Sequence, residues 1–131
     1  MKLLVATLAA SLSMASIASA NTFSIQFEWG NLKSCTTGNP NTVPNPKFTV
    51  SALPAGTNVV EFRLKDLDVP GFNHGGAKVK MAASGEVPAG IFNYQSPCPP
   101  NGRHTYEWTA TAIDASGQKL GTAKARRYYP E

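Results

Sequence analysis

The chain has 131 residues, with 12 lysines and arginines against 8 aspartates and glutamates and a formal net charge of +4. A chain of this size suits a single domain with a modest core. The basic surplus is too small to indicate a nucleic-acid partner, and we expect none.

The first twenty residues have the layout of a secretory signal peptide. Lys2 supplies a positive charge, an apolar run follows, and the small residues Ala18-Ser-Ala20 precede a predicted cleavage before Asn21. Serines interrupt the apolar run and no charged stop follows it, which argues against a membrane span. We therefore expect residues 1–20 to be a signal peptide and residues 21–131 to be one domain. The product is predicted to be periplasmic or secreted, without a transmembrane segment.

Cys35 and Cys98 are the only cysteines of the chain. An even count in an exported protein makes a disulfide the default expectation. The two residues are too far apart in sequence for a CxxC redox centre, and two thiols alone cannot build a structural zinc site. The two histidines and the nearby aspartates show no metal-ligand spacing, so we expect neither a metal nor a cofactor.

The predicted elements after residue 20 are all strands. Residues 23–29 alternate apolar and polar side chains, which is the period of a half-buried strand, whereas residues 31–46 form a long polar loop. No window shows a sustained helical period, and ten prolines with eleven glycines supply turns. The pattern predicts a mainly β fold, an antiparallel β-sandwich or Greek-key arrangement with long loops. The predicted strands are residues 23–29, 47–52, 58–67, 77–81, 91–92, 105–113 and 120–128.

The third predicted strand indicates which of its side chains point into the core, because alternate residues of a strand share a face. Val60, Phe62 and Leu64 lie on one face, and charged residues alternate with them on the other. Continuing the inward parity reaches Asp66 and then Asp68. The core-facing side of the strand is therefore expected to end with the carboxylates of Asp66 and Asp68.

The strand predicted over residues 105–113 has the complementary pattern. Trp108 points inward, and extending this parity backwards reaches Tyr106 and His104. If the two strands are antiparallel neighbours, the end of one lies beside the start of the other. The acidic pair, an imidazole and a phenol would then meet at one rim of the core, close to the loop that contains His74.

Two short blocks resemble motifs of the phosphatidylethanolamine-binding protein family. Asp66-Leu-Asp-Val-Pro70, followed by His74, resembles the family's D-P-D-x-P motif and its downstream histidine. The segment Cys98-Pro-Pro-Asn-Gly-Arg-His104-Thr-Tyr106 resembles the second block, P-P-x-G-x-H-R-Y. A third match, Leu53-Pro-Ala-Gly-Thr57, is similar to the P-A-G-T turn of bacterial members. Together the matches span most of the predicted domain.

The sequence also departs from the pattern of this family. Leu67 replaces the proline within the first block, and Thr105 replaces the arginine of the second. The segment 82–95 is short for the family, and no C-terminal helix is predicted. The resemblance therefore indicates a short, divergent member of the bacterial type.

The resemblance implies a Greek-key β-sandwich of two antiparallel sheets with a pocket for phosphate-like anions or phospholipid head groups. Protonated histidine and tyrosine hydroxyl groups donate well to phosphate oxygens, and a neighbouring carboxylate favours the protonated imidazole. Bacterial members often have a cysteine near the position of Cys35, which supports a disulfide between Cys35 and Cys98. The implied ligand-binding residues are Asp66, His74, Pro99, His104 and Tyr106, with Asp68 and Pro100 in supporting positions.

Two other interpretations stay open at the level of sequence. Asp66, Asp68 and His104 could form a polar cluster that is simply hydrogen-bonded at a strand end. The chain could also be a secreted interaction module, such as an inhibitor of a protease or another enzyme, that binds a protein partner through a rigid loop. No G-x-S-x-G or comparable catalytic motif is present, and we expect no enzymatic activity.

The signal-peptide pattern generates a prediction about processing. The exported protein should begin at Asn21, because the small-residue triplet places the cleavage site after Ala20. Mass spectrometry of protein recovered from the periplasm or the medium measures this directly. An intact chain that still begins at Met1 in either fraction would contradict the prediction.

Overall fold

The computed structural model describes residues 22–131, together with residues 10 and 11. The predicted cleavage site and most of the predicted signal peptide lie outside the described residues. Within them, the secondary structure consists of strands, which confirms the mainly β fold, and no helix is long and apolar enough to cross a membrane. The strands are β1 (Ser24–Phe27), β2 (Thr42–Pro44), β3 (Phe48–Ser51), β4 (Thr57–Asp66), β5 (Gly76–Lys80), β6 (Gly85–Val87), β7 (Asn93–Gln95), β8 (His104–Asp114) and β9 (Lys119–Tyr129).

The six longer strands lie close to their predicted positions, whereas the three shortest differ from the prediction. β2 and β6 were not predicted, because three residues are too few to show an alternating period. The strand predicted at residues 91–92 was wrong, since the strand is β7, two residues later. The backbone N–H groups of Ile91 and Phe92 instead donate to Oδ1 of Asn45, at 2.7 and 2.8 Å.

The strands form three antiparallel sheets rather than the two that were expected. The larger sheets have the orders β5-β4-β8-β9 and β1-β3-β6, and β2 pairs with β7 in a separate ribbon. This ribbon is short because Pro44 ends β2 and Pro46 follows closely. Proline has no N–H to continue a ladder of backbone hydrogen bonds.

The core lies between the two larger sheets. Phe48 of β3 stacks on Phe62 of β4, with ring centroids 4.5 Å apart, and meets the edge of Trp108 of β8 at 5.1 Å. All three side chains are fully buried. These aromatic contacts join the two sheets into a sandwich, because rings of this size supply most of the apolar surface that a small domain buries.

The register between β4 and β8 confirms the parity argument. The two strands are antiparallel neighbours in which Leu64 pairs with Trp108 and Asp66 pairs with Tyr106. His104 begins β8, so it lies beside the end of β4. The inward parity of β4 was expected to continue to Asp68. However, β4 ends at Asp66, and the position of Asp68 is set by the turn that follows the strand.

The structure confirms the disulfide between Cys35 and Cys98, whose Cα atoms are 4.6 Å apart. Both residues are buried, and the N–H of Cys35 donates to the hydroxyl of Tyr129 at 3.0 Å. The N–H of Gly38 donates to the carbonyl of Cys98 at 3.0 Å. The bridge therefore joins the long loop after β1 to the proline-rich segment before β8.

Removing this bridge should lower the stability of the domain. The cysteines are 63 residues apart in sequence, and a bridge of that span stabilises a protein by about 4 kcal/mol in the chain-entropy model. Urea unfolding of the Cys35→Ser/Cys98→Ser double variant should show this loss in the free energy of unfolding. The wild type in excess reductant is the control and should approach the same value. A change below about 1 kcal/mol would contradict the assigned role.

Candidate functional site

A hydrogen-bonded pair of Asp66 and His104 lies at the centre of the predicted site. Nδ1 of His104 donates to Oδ2 of Asp66 at 2.7 Å. The other carboxylate oxygen, Oδ1, accepts the N–H groups of Asp68 and Val69 at 2.9 and 3.2 Å. The turn after β4 thus holds the carboxylate, which in turn fixes the ring of His104. This arrangement leaves Nε2 as the imidazole nitrogen available to another partner.

Asp68 ties together the ends of the two central strands. Its Oδ2 accepts the N–H of Thr105 at 2.8 Å, and the N–H of Leu67 donates to the carbonyl of Thr105 at the same distance. These bonds extend the contact between β4 and β8 past the last paired residues. Asp68 therefore connects the two strand ends, and it does not line the cavity beside His104.

His74 lies on the opposite side of Tyr106 and is buried. Its Nδ1 donates to the carbonyl oxygen of Gln95 at 2.8 Å, and its own carbonyl accepts the N–H of Gln95 at 2.8 Å. Burial lowers the pKa of His74, and this effect outweighs the opposite effects of the Gln95 carbonyl and of the Asp66 charge. The ring is therefore neutral at pH 7 and offers a lone pair at Nε2.

This state of His74 differs from the protonated donor that the sequence argument assumed for the site. The physical reason is that its side chain lies against Phe72 and Tyr106, with ring centroids 4.6 and 5.6 Å away. An apolar environment disfavours the charged imidazole. Of the two histidines, only His104 is paired with a carboxylate.

Tyr106 separates the two histidines and is 1% exposed. Its ring meets that of His74 edge-on and lies roughly parallel to that of His104, with centroids 6.3 Å apart. Burial, and secondarily the charge of Asp66, raise the pKa of Tyr106 well above its ordinary value. The phenol consequently keeps its proton and remains a hydrogen-bond donor.

These side chains surround a cavity of about 210 Å³. All five predicted ligand-binding residues line it, as does Pro100, which was predicted to be supporting. The segment from Ser96 to Pro99 is buried, so it forms a wall rather than a projecting loop. The lining residues are Gly38, Pro40, Asp66, Val69, Phe72, His74, Cys98, Pro99, Pro100, His104 and Tyr106.

Sequence reasoning did not assign four of these residues to the site, and of the four only Val69 belongs to a quoted motif. Gly38 and Pro40 belong to a loop that showed no pattern, although the expected disulfide could have placed them beside the proline segment. Val69 and Phe72 lie in the turn between β4 and β5 and remain 48% and 42% exposed. They give the cavity an apolar rim.

The carboxylates and the imidazole of the site also come close enough to suggest a cation site. One oxygen or nitrogen atom from each of Asp66, Asp68 and His104 lies within 4.8 Å of the others. Hydrogen bonds already account for this closeness, because Asp66 accepts from His104 and from two backbone N–H groups, and Asp68 accepts from Thr105. We therefore assign no metal to this cluster.

A larger concavity of about 1120 Å³ lies along β1, residues 30–33, residues 43–47 and the end of β9. No histidine or cysteine lines it. Arg126 and Lys47 in its lining are paired with Glu107 and Glu86. The smaller cavity is lined by both histidines and by Tyr106, and for this reason we take it as the candidate site.

No model of a known protein family matches this sequence, and no curated protein matches it at a significant level. The likeness to phosphatidylethanolamine-binding proteins consequently depends on the quoted motifs. The residues of those motifs that were expected to bind a ligand share one cavity.

The buried, neutral His74 predicts a dependence of stability on pH. As pH falls below about 6.5, the unfolded chain binds a proton that folded His74 does not, so the contribution of His74 to stability declines. The slope should approach 1.4 kcal/mol per pH unit at most. The variant His74→Asn keeps a donor near the position of Nδ1 but cannot titrate.

Urea unfolding of both proteins from about pH 7.5 to pH 5 measures this contribution. The stability difference between wild type and His74→Asn should shrink as pH falls. The remaining titratable groups are common to both proteins and cancel in the difference. A difference that is constant over the whole range would show that His74 is not held neutral by the fold.

Proposed function

We propose that this protein binds phosphate-like anions or the phosphoryl head groups of lipids in the cavity beside His104 and Tyr106. The observation that supports this most is the pair of Asp66 and His104 at 2.7 Å, placed next to a protonated phenol in one cavity. A protonated imidazole and a phenol are both good donors to the oxygens of a phosphate group.

The donors of the site are Nε2 of His104 and the hydroxyl of Tyr106. With Nδ1 committed to Asp66, a protonated His104 presents its Nε2–H as the second donor. Asp66 orients the ring through Nδ1 and also accepts two backbone N–H groups, so its charge does not face the ligand unpaired. A phosphate oxygen that accepts from both donors would receive one charge-assisted hydrogen bond.

His74 adds an acceptor to these donors. Because its Nδ1–H points to the Gln95 carbonyl, its Nε2 lone pair can accept a hydrogen bond from the ligand. Monoprotonated inorganic phosphate has a P–OH group that can donate such a bond, whereas sulfate and the phosphodiester of a lipid head group have none at neutral pH. The site should therefore prefer phosphate to sulfate.

The size and the rim of the cavity fit a small head group. A volume of about 210 Å³ lies below the roughly 300–1,000 Å³ of pockets that enclose drug-sized ligands. Val69 and Phe72 are exposed at the cavity and offer apolar contact to the part of a larger ligand that stays outside. A phosphoryl group could thus enter while its organic substituent remains at the rim.

The alternative of a loop-presenting inhibitor has less support. Such a module needs a projecting, rigid segment, but residues from Ser96 to Pro99 are buried against the cavity. Only residues 100–103 at the tip of this segment are exposed. The prolines therefore shape a pocket rather than a binding loop.

Calorimetric titration with inorganic phosphate and with phosphoethanolamine tests the proposal. His104→Ala should weaken binding by roughly 1.5–3 kcal/mol, because it removes a charge-assisted hydrogen bond. Asp66→Asn keeps the shape of the side chain but loses the charge that holds the imidazole, so it should also weaken binding. Arg103→Ala is the matched control, since Arg103 is an adjacent cation that stacks on Tyr128 and does not line the cavity.

Two results would contradict the proposal. Equal affinity in the wild type and in His104→Ala would show that the anion does not contact this cavity. An equal loss in His104→Ala and Arg103→Ala would show that only general charge attracts the anion. A titration with sulfate tests the acceptor separately, because equal affinity for sulfate and phosphate would exclude a hydrogen bond from P–OH to His74.

A further inference from the structure

The outer face of the four-stranded sheet concentrates the positive charge of the protein. Antiparallel partners share a face, so the register places outward-pointing residues of β4, β5, β8 and β9 in rows. Where the β8–β9 register is regular, before its shift between Ala112 and Ile113, six exposed cations lie on this surface, with Glu61 and Glu107 as its acidic residues. We call this surface the basic face, and its cations are Arg63, Lys65, Lys78, Lys80, Lys124 and Arg126.

The charge of the basic face is only partly neutralised within the sheet. Glu107 is 5% exposed and accepts from Nε of Arg126 at 2.7 Å, with Nζ of Lys124 at 3.8 Å from its other oxygen. Glu61 lies 3.8 Å from a guanidinium nitrogen of Arg63. Three of the six cations, Lys65, Lys78 and Lys80, have no ion pair among the described residues. The face has a net charge of +4, whereas residues 22–131 as a whole have +3.

The cations are spread over an area rather than along a line. They lie on β5, β4 and β9, with spacings of about 4.8 Å between neighbouring strands and about 6.8 Å between outward residues of one strand. Of these residues only Arg126 lines either of the two cavities described above, so the array of cations lies on the sheet surface outside them. A planar anionic surface matches such a two-dimensional array.

Aromatic residues distinguish a lipid surface from other polyanions. Proteins that bind single-stranded nucleic acids combine cations with several aromatic rings on which bases stack. The basic face has Tyr128 at its end, and the guanidinium of Arg103 already lies 4.1 Å from the centre of that ring. Its centre is occupied by the threonines Thr109, Thr111 and Thr122. The side chains of the basic face therefore favour electrostatic attraction to an anionic surface over the stacking of nucleic-acid bases.

We propose that the basic face binds the surface of a bilayer that contains anionic lipids. Each lysine or arginine near such a surface contributes about 1 kcal/mol, which corresponds to a factor of about five in the partition coefficient. Lysines also place their charged groups at head-group level while their alkyl chains cover apolar surface. This role is independent of the cavity beside His104, because no residue of the basic face lines that cavity.

Co-sedimentation with vesicles tests this inference. The probes are vesicles of equal parts phosphatidylglycerol and phosphatidylcholine, with pure phosphatidylcholine vesicles as the uncharged comparison. Lys78→Gln/Lys80→Gln should lower partitioning onto the anionic vesicles by about 30-fold, since two charges are removed from the face. Lys33→Gln/Lys47→Gln removes the same charge from residues that line the larger cavity, and it is the matched control. Both substituted pairs are at exposed positions, so the variants should fold.

The expected result is binding to the anionic vesicles at about 0.15 M salt that decreases steeply as the salt rises, with a selective loss in Lys78→Gln/Lys80→Gln. Equal binding to both kinds of vesicle, or no binding to either, would overturn the proposal. If both double variants lose the same amount of vesicle binding, the binding depends on the net charge of the protein and not on the position of the cations, which would also overturn the proposal. Binding of heparin or single-stranded DNA that depends on Lys78 and Lys80, without binding to the vesicles, would assign the face to another polyanion and also overturn it.

Discussion

Asp66 faces Tyr106 because β4 and β8 keep one register from Val59 to Asp66. The same register puts Phe62 and Leu64 into the core and directs the charged residues between them outward. A slip of one residue would reverse both faces, burying the cations and exposing the aromatic core. The free-energy cost of burying cations and exposing apolar side chains therefore fixes the register. This register places the carboxylate of Asp66, the phenol of Tyr106 and the imidazole of His104 at one rim of the core. The candidate pocket depends directly on this pairing, and the basic face depends on it together with the pairing of β4 with β5 and of β8 with β9.

Loops close the cavity, and each of them is held by a specific constraint. The disulfide brings Gly38 beside Pro100, and the two hydrogen bonds between His74 and Gln95 hold the loop after β4 against β7. Gly76 follows this loop with φ near +151°, and a Cβ there would overlap the carbonyl oxygen of Phe62. Only glycine permits β5 to approach β4 so closely. A cavity enclosed by a covalent bridge and two tight loops has little freedom to lose when a ligand binds, which favours binding.

The two sides of the four-stranded sheet stabilise their charged groups in different ways. On the cavity side, the charge of Asp66 is satisfied by His104 and by backbone N–H groups, as a buried carboxylate requires. On the outer side, exposed lysines need no partner, because water solvates them at small cost. A site that recognises one small anion and a face that senses many anionic groups can therefore share a sheet. If both proposals hold, the protein would meet phosphoryl groups at a membrane surface.

The sequence by itself determined the mainly β fold, the six longer strands and the core parity of β4 and β8, because alternation over several residues has one physical explanation. Combined with the family resemblance, it also named five of the eleven residues that line the cavity, and its even cysteine count predicted the disulfide. Tertiary structure alone decided that the sheets number three, that Asn45 replaces a strand at residues 91–92, and that His74 is neutral. Burial and long-range hydrogen bonds cause each of these outcomes, and neither leaves a local pattern in the chain. The basic face is also a feature that only the tertiary structure decided, because its cations come from three strands that the sheet order brings together.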